Sequence, residues 1–142
     1  MTATIITLGY TGAKPDHLAT VARKHGLVVI DTRYSPRSRN PAWNGGALAK
    51  LLQTRYQHVM SFGNENYKNG GPIHIVDLQA GIRLVRPILD RGISVLLLCA
   101  CEHVETCHRS VVANALSQSS GCPVVHWTPA DLARLAGEGD RT

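Results

Sequence analysis

The apolar positions of this chain fall into two kinds of run, and the two kinds alternate along its length. Ile5–Leu8, Leu27–Ile30, Ile93–Cys99 and Val124–Trp127 are short, rich in β-branched residues and bounded by Gly, Pro or polar residues. They predict strands, and the continuously apolar ones predict strands covered on both faces of a parallel sheet. A shorter strand is expected near 57–60. Between these runs the spacing turns helical. Pro15 suits a first helical turn, Leu18, Val21 and Ala22 share one face, and Gly26 suits the position just past the end. A short helix is expected near 47–54. Ile75, Leu78, Ile82, Val85 and Leu89 mark a longer one over 74–91, in which Pro87 predicts a kink or a new turn because it lacks a backbone donor. A helix over 109–119 carries Val112, Ala113 and Leu116. Thr128-Pro129-Ala130-Asp131 then reads as an N-cap with Pro at the first helical position.

About five strand–helix alternations predict the α/β class: a single three-layer Rossmann-like domain around about five mainly parallel strands. The domain is expected over 1–136, with 137–142 as a frayed tail. Two polar stretches, 34–46 and 61–72, interrupt the rhythm. Loops of that length in a compact domain are functional or mobile, and 34–46 is read as a lid.

With 142 residues, 44% of them apolar and 18% charged, the chain can bury a core and is not disordered wholesale. No run approaches the ~18–20 apolar residues of a membrane span, and the first residues lack the features of a signal peptide. The expectation is a cytoplasmic protein with no membrane partner and with its four cysteines as thiols. A net charge of +5 favours an anionic partner, either a small molecule or nucleic acid. Nothing in the pattern implies a cofactor or an oligomeric state.

In a parallel sheet the carboxyl ends of the strands share one edge, where ligands gather. Gly9-Tyr10-Thr11, Asp31-Thr32-Arg33, Ser61 to Asn64, Cys99 to Arg109 and His126-Trp127 are thereby predicted to meet. The densest piece runs from Leu96-Leu97-Leu98-Cys99 to Cys107-His108-Arg109. A helix start beside His108 and Arg109 favours a Cys107 thiolate, and its free amides, with Arg109 and Arg33, would hold an anion. Cys107 is thus a candidate nucleophile and His108 a candidate proton carrier, against the plainer reading of a buried cysteine and a bracing Arg109. Asp31 and Arg33 leave a strand end on the same face, so they either pair or both face a ligand, with Asp31 a second candidate for the active group. Arg33, Arg37, Ser38 and Arg39, set among Tyr34, Pro36 and Trp43, combine donors with stacking surface and suit phosphates and bases. A solvated loop is the competing reading. Tyr10 either presents its phenol to the site or packs, while His126 and Cys122 read as structural.

Cys99, Cys101, His103, Cys107 and His108 offer zinc-type donors. Their C-x-C-x5-C-H spacing is not that of a structural zinc site, so no metal is expected, with Cys99, Cys101 and Cys107 as the only weak candidates. Phosphatase chemistry of the C-x5-R kind is also disfavoured, because the residue six after Cys101 is Cys107.

Together these landmarks resemble the DUF488 family of small bacterial and archaeal proteins. The matching pieces are Gly9-Tyr10-Thr11, Asp31-Thr32-Arg33 followed by Pro36, Ser38 and Arg39, Phe62-Gly63-Asn64, and Leu97-Leu98-Cys99-Ala100 with Cys107-His108-Arg109. The family often has Glu directly after Cys-Ala, whereas this chain has Cys101 there and Glu102 one step on. The resemblance implies that Tyr10, Asp31, Arg33, Ser38, Cys99, Cys107, His108 and Arg109 belong to one pattern, and it supplies no substrate. The leading expectation is an enzyme or degenerate enzyme acting on a nucleotide or nucleic-acid-like anion. The alternatives are a non-catalytic nucleic-acid-binding module, or a thiol redox or metal-sensing protein using Cys99, Cys101 and Cys107.

Overall fold

The computed structural model describes residues 3–101 and 107–138. Five parallel strands form one sheet: β1 (Ile5–Gly9), β2 (Val28–Asp31), β3 (Tyr56–His58), β4 (Val95–Cys99) and β5 (Val124–Trp127), in the order β3-β2-β4-β1-β5. Five helices connect or follow them: α1 (Pro15–His25), α2 (Gly45–Leu52), α3 (Leu78–Asp90), α4 (His108–Ser120) and α5 (Pro129–Gly137). The result is a three-layer, Rossmann-like α/β/α sandwich. Among the described residues no helix is long and apolar enough to cross a membrane.

Alternation along each strand divides the core in two. Leu96 and Leu98 of β4, with Ile6 and Leu8 of β1 and Val29 of β2, face α1, α2 and α5. Val95 and Leu97, with Ile5 and Ile30, face Val85 and Leu89 of α3 and Val112 and Leu116 of α4. β4 is buried throughout because it carries helices on both faces.

The helix ends follow local chemistry. Pro15 begins α1, and Gly26 closes it in the left-handed conformation at φ 64°, which a Cβ would strain. Thr128 and Asp131 form a reciprocal capping box at α5. α3 begins at Leu78 rather than near 74, because Asp77 accepts from the Ala80 amide as N-cap and Ile75 is bridged to Asn64 instead. Pro87 lies inside a continuous helix and begins no new one. The polar stretch after β2 is shorter than expected: a 3-10 turn over Pro41–Trp43 leads into α2 already at Gly45. Gly137 belongs to α5, while the rest of the expected tail beyond Glu138 lies outside the described residues.

Candidate functional site

The strand order locates the site. The helices that follow β1 and β2 pack on one face of the sheet, whereas the helix that follows β4 packs on the other. β4 lies between β2 and β1, so α4 lies across the sheet from the helices that follow both neighbours. Divergence of this kind opens crevices at the carboxyl edge of parallel sheets.

Cys99 ends β4, Cys101 follows the turn, Cys107 is the N-cap of α4 and His108 is its first residue. These four converge, with their ligand-type atoms all within 4.8 Å of one another. Cys99 Sγ lies 3.3 Å from Cys101 Sγ, 3.2 Å from Cys107 Sγ and 3.6 Å from His108 Nδ1. Cys107 Sγ is 3.9 Å from the same nitrogen. On the far side of the ring, His108 Nε2 sits 2.9 Å from the Thr32 carbonyl, so its N–H donates there and Nδ1 faces the sulfurs. Cys99, Cys107 and His108 are buried and Cys101 is half-buried.

The cluster redistributes its protons. Hydrogen bonds from Cys101 and Cys99, aided by His108 and the Arg109 amide, hold the Cys107 thiol well below its ordinary value. The same contacts with Cys107 push Cys101 up. Burial would lower the His108 imidazole, yet its hydrogen bonds to Cys101 and Cys107 outweigh burial and raise it to about 9. The cluster thereby favours a buried Cys107 thiolate at a helix N-terminus beside a protonated His108.

Arg109, in the same first turn, is 3% exposed and donates from Nη1 to the Cys101 carbonyl at 2.8 Å. Its Nε is buried with no hydrogen-bond partner among the described residues. Gly9, opposite Cys99 in the sheet, makes this carbonyl position possible: a Cβ there would stand 1.7 Å from the Cys101 oxygen.

On the β2 side the reading of Asp31 and Arg33 as a pair is the one observed. Arg33 Nε and Nη2 donate to the two Asp31 oxygens at 2.8 and 2.6 Å, and Tyr56 adds its hydroxyl at 2.7 Å. Burial alone would lower the Arg33 pKa, but Asp31 overcomes it and raises the pKa above the ordinary value. Arg33 Nη1 donates to the Tyr10 hydroxyl, and the Tyr10 ring stacks on Trp43 at 4.5 Å between centroids. Both rings are buried. Four of the candidate site residues thus take up structural contacts. Asp31 has no exposure and both its oxygens are engaged, so it is not an accessible base. Arg33 is committed to Asp31 while bordering the first depression described below, Trp43 stacks on Tyr10 at the floor of the second, and Tyr10 braces Arg33. Cys107, 1% exposed, lies beneath the crevice and does not face it.

No family model matches the chain, and no similar curated protein or solved structure is found.

Two depressions flank the β4 end. The first, about 370 Å³, has Cys99, Cys101 and His108 in its floor and Tyr34, Arg37 and Asn64 in its walls. Tyr34 and Tyr67 stand at its mouth, 42% and 47% exposed and stacked at 5.5 Å, with Lys68 Nζ 5.7 Å from the Tyr67 ring centre. The second, about 720 Å³, lies over Tyr10, Thr11 and Trp43 and is bordered by Arg37, Ser38 and Arg39. Arg37 and Arg39 are exposed. The segment carrying them is pinned by its own bonds: Ser38 N to Asn44 Oδ1 at 2.7 Å, and Gly45 N to the Pro36 carbonyl at 2.8 Å. Sequence reasoning missed Tyr67 and Lys68. The polar, Asn- and Gly-rich loop around them was the available signal. His126 bonds the Thr7 hydroxyl at 2.6 Å and lines neither depression. His103 and Glu102 lie outside the described residues.

Proposed function

We propose that this protein binds a nucleotide or a short single-stranded nucleic-acid segment at the carboxyl edge of its sheet. The observation that carries the reading is the mouth of the smaller depression. It sets an exposed tyrosine pair beside Arg37 and Lys68. A flat base stacks on an aromatic ring whatever its identity, and a phosphate takes the guanidinium and ammonium charges. The net charge of +5 acts in the same direction. The reading is one of binding, because the carboxylate and the thiol first considered for catalysis are both buried away from the crevice. The DUF488 resemblance stays a proposal beside it, its quoted residues lying along the same edge.

Calorimetric titration with inorganic phosphate, a nucleoside monophosphate and a short single-stranded oligonucleotide tests this reading. The nucleotide is expected to bind more tightly than phosphate, and Tyr34→Ala to lose about 1–3 kcal/mol, the worth of one base–aromatic stack. Oligonucleotide binding should weaken linearly in log salt, with Arg37→Gln reducing the slope by about 0.7 for one lost phosphate contact. Absence of saturable binding of both nucleotide and oligonucleotide to the wild-type chain overturns the proposal.

A further inference from the structure

We infer that Cys99, Cys101, Cys107 and His108 form a four-ligand site for a soft divalent metal, zinc by donor type. The inference concerns the floor of the crevice and does not depend on what binds at its mouth. Four independent features support it.

The first is convergence. Three sulfurs and one ring nitrogen from a strand end, a turn and a helix start meet within 4.8 Å. In a tetrahedral zinc site with bonds of about 2.3 Å to sulfur and 2.0–2.1 Å to nitrogen, donor atoms stand about 3.5–3.8 Å apart. The observed separations of 3.2, 3.3, 3.6 and 3.9 Å bracket that tetrahedron, and the sulfurs need open by only about half an ångström. Hydrogen bonds link these sulfurs, and a shared cation would replace their protons at nearly the same separations.

The second is the imidazole. A metal-binding histidine characteristically gives its remote N–H to a carboxylate or backbone carbonyl, which fixes the ring and aims the other nitrogen at the metal. His108 does this with Thr32, and Thr32 is itself pinned to β4 through hydrogen bonds from its amide and hydroxyl to the Leu98 carbonyl.

The third is charge. Zinc held by three thiolates and a neutral imidazole carries a single net negative charge. Arg109 is the matching cation: it is buried, has no carboxylate partner among the described residues, and is anchored on the carbonyl of the ligand Cys101. Its unpartnered Nε is the kind of donor that a buried anionic centre would engage. α4 also directs its positive end at Cys107 and His108.

The fourth is donor softness. Sulfur and imidazole donors select zinc over magnesium or calcium, and four protein ligands leave no open coordination position. The centre is therefore a structural one that ties the end of β4 to the start of α4, and it forms part of the crevice floor.

The test uses the full-length, tag-free chain purified under reducing conditions without chelator. Elemental analysis should find about one zinc per chain. Stripped protein titrated with Co²⁺ should develop sulfur-to-cobalt charge-transfer absorption and the visible bands of tetrahedral cobalt, saturating at one equivalent. Cys101→Ser, the least buried ligand, should weaken Co²⁺ binding by more than the about 10–100-fold that loss of a hydrogen-bonding partner of a ligand costs, whereas Cys122→Ser, outside the cluster, should leave it unchanged. Wild-type protein with all four thiols reduced that carries no zinc and gives no cobalt–sulfur absorption overturns the inference, whether or not the variants fold. Equal loss in Cys101→Ser and Cys122→Ser, with both folded, overturns it as well.

Discussion

Asp31→Asn probes the buried pair that organises the end of β2. Asp31 is fully enclosed and accepts four hydrogen bonds: two from the Arg33 guanidinium, one from the Arg33 amide at 3.2 Å and one from Tyr56. Asparagine keeps one acceptor and turns an NH₂ toward donors, so at least one of these contacts becomes donor against donor. Arg33 then remains a buried cation without a counter-charge. Breaking a buried pair from one side costs about 3–5 kcal/mol, out of the about 5–15 kcal/mol that a domain of this size has in total. In urea unfolding, with a slope near 2 kcal/mol/M, the midpoint should fall by about 2 M. The double change Asp31→Leu with Arg33→Met removes both charges, and the orphaned Tyr10 and Tyr56 hydroxyls cost only about 1 kcal/mol each. It should recover at least half of the loss. An Asp31→Asn protein that unfolds within about 1 kcal/mol of wild type would refute the reasoning and return Arg33 to the set of free, anion-binding cations.

Three further outcomes follow from the same contacts. Gly9→Ala should destabilise by overpacking, about 1–3 kcal/mol, plus a charged hydrogen bond worth about 1.5–3 kcal/mol, because the Cys101 carbonyl must leave Arg109; an unchanged thermal melt would show that this carbonyl swings aside freely. Gly81→Ala gains about 1 kcal/mol of helix propensity but places a Cβ 2.2 Å from the ring of fully buried Phe62, so the net effect should be destabilising, and a stabilised protein contradicts it. Burial and the bond to Asp31 raise the Tyr56 pKa above its ordinary value of 10.0. Between those two values the folded chain keeps a proton that the unfolded chain has lost, so stability falls as pH rises through about 10. Tyr56→Phe should flatten that alkaline decline in urea midpoints, and an identical decline in both proteins would exclude the effect.

The layers of the fold were legible in the sequence because single local signals agree with burial. β-branched runs mark the strands, Pro15 and Gly26 bracket α1, and Thr128 with Asp131 caps α5. Where tertiary contacts compete, local reading fails. Ile75 has helical spacing with Leu78 and Ile82, yet it is drawn into a bridge with Asn64, and the helix waits for Asp77. The site shows the same division. Topology sufficed to bring Cys99, Cys107, Asp31 and Tyr10 to one edge. Spacing could not show that Cys101 turns back over Gly9 to face Cys107, because that return depends on a missing side chain on the neighbouring strand. Nor could it show that Arg33 is spent on Asp31 and Trp43 on Tyr10, since two residues on one strand end are free to pair or to face outward until their neighbours are known.

The strand order also fixes a sequence of events in time. β1 precedes the other four strands of the sheet in the chain, yet both its neighbours, β4 and β5, begin only at Val95 and Val124. Emerging from the ribosome, it has no partner until about two thirds of the chain has followed, while β2 can pair with β3 across a much shorter loop. Gly9, Cys99 and α4 can meet only after that late insertion. The crevice floor therefore closes only once β4 and the start of α4 are in place, and a nascent chain stalled before β4 leaves β1 without a strand partner and Ile5, on the face opposite α1, uncovered.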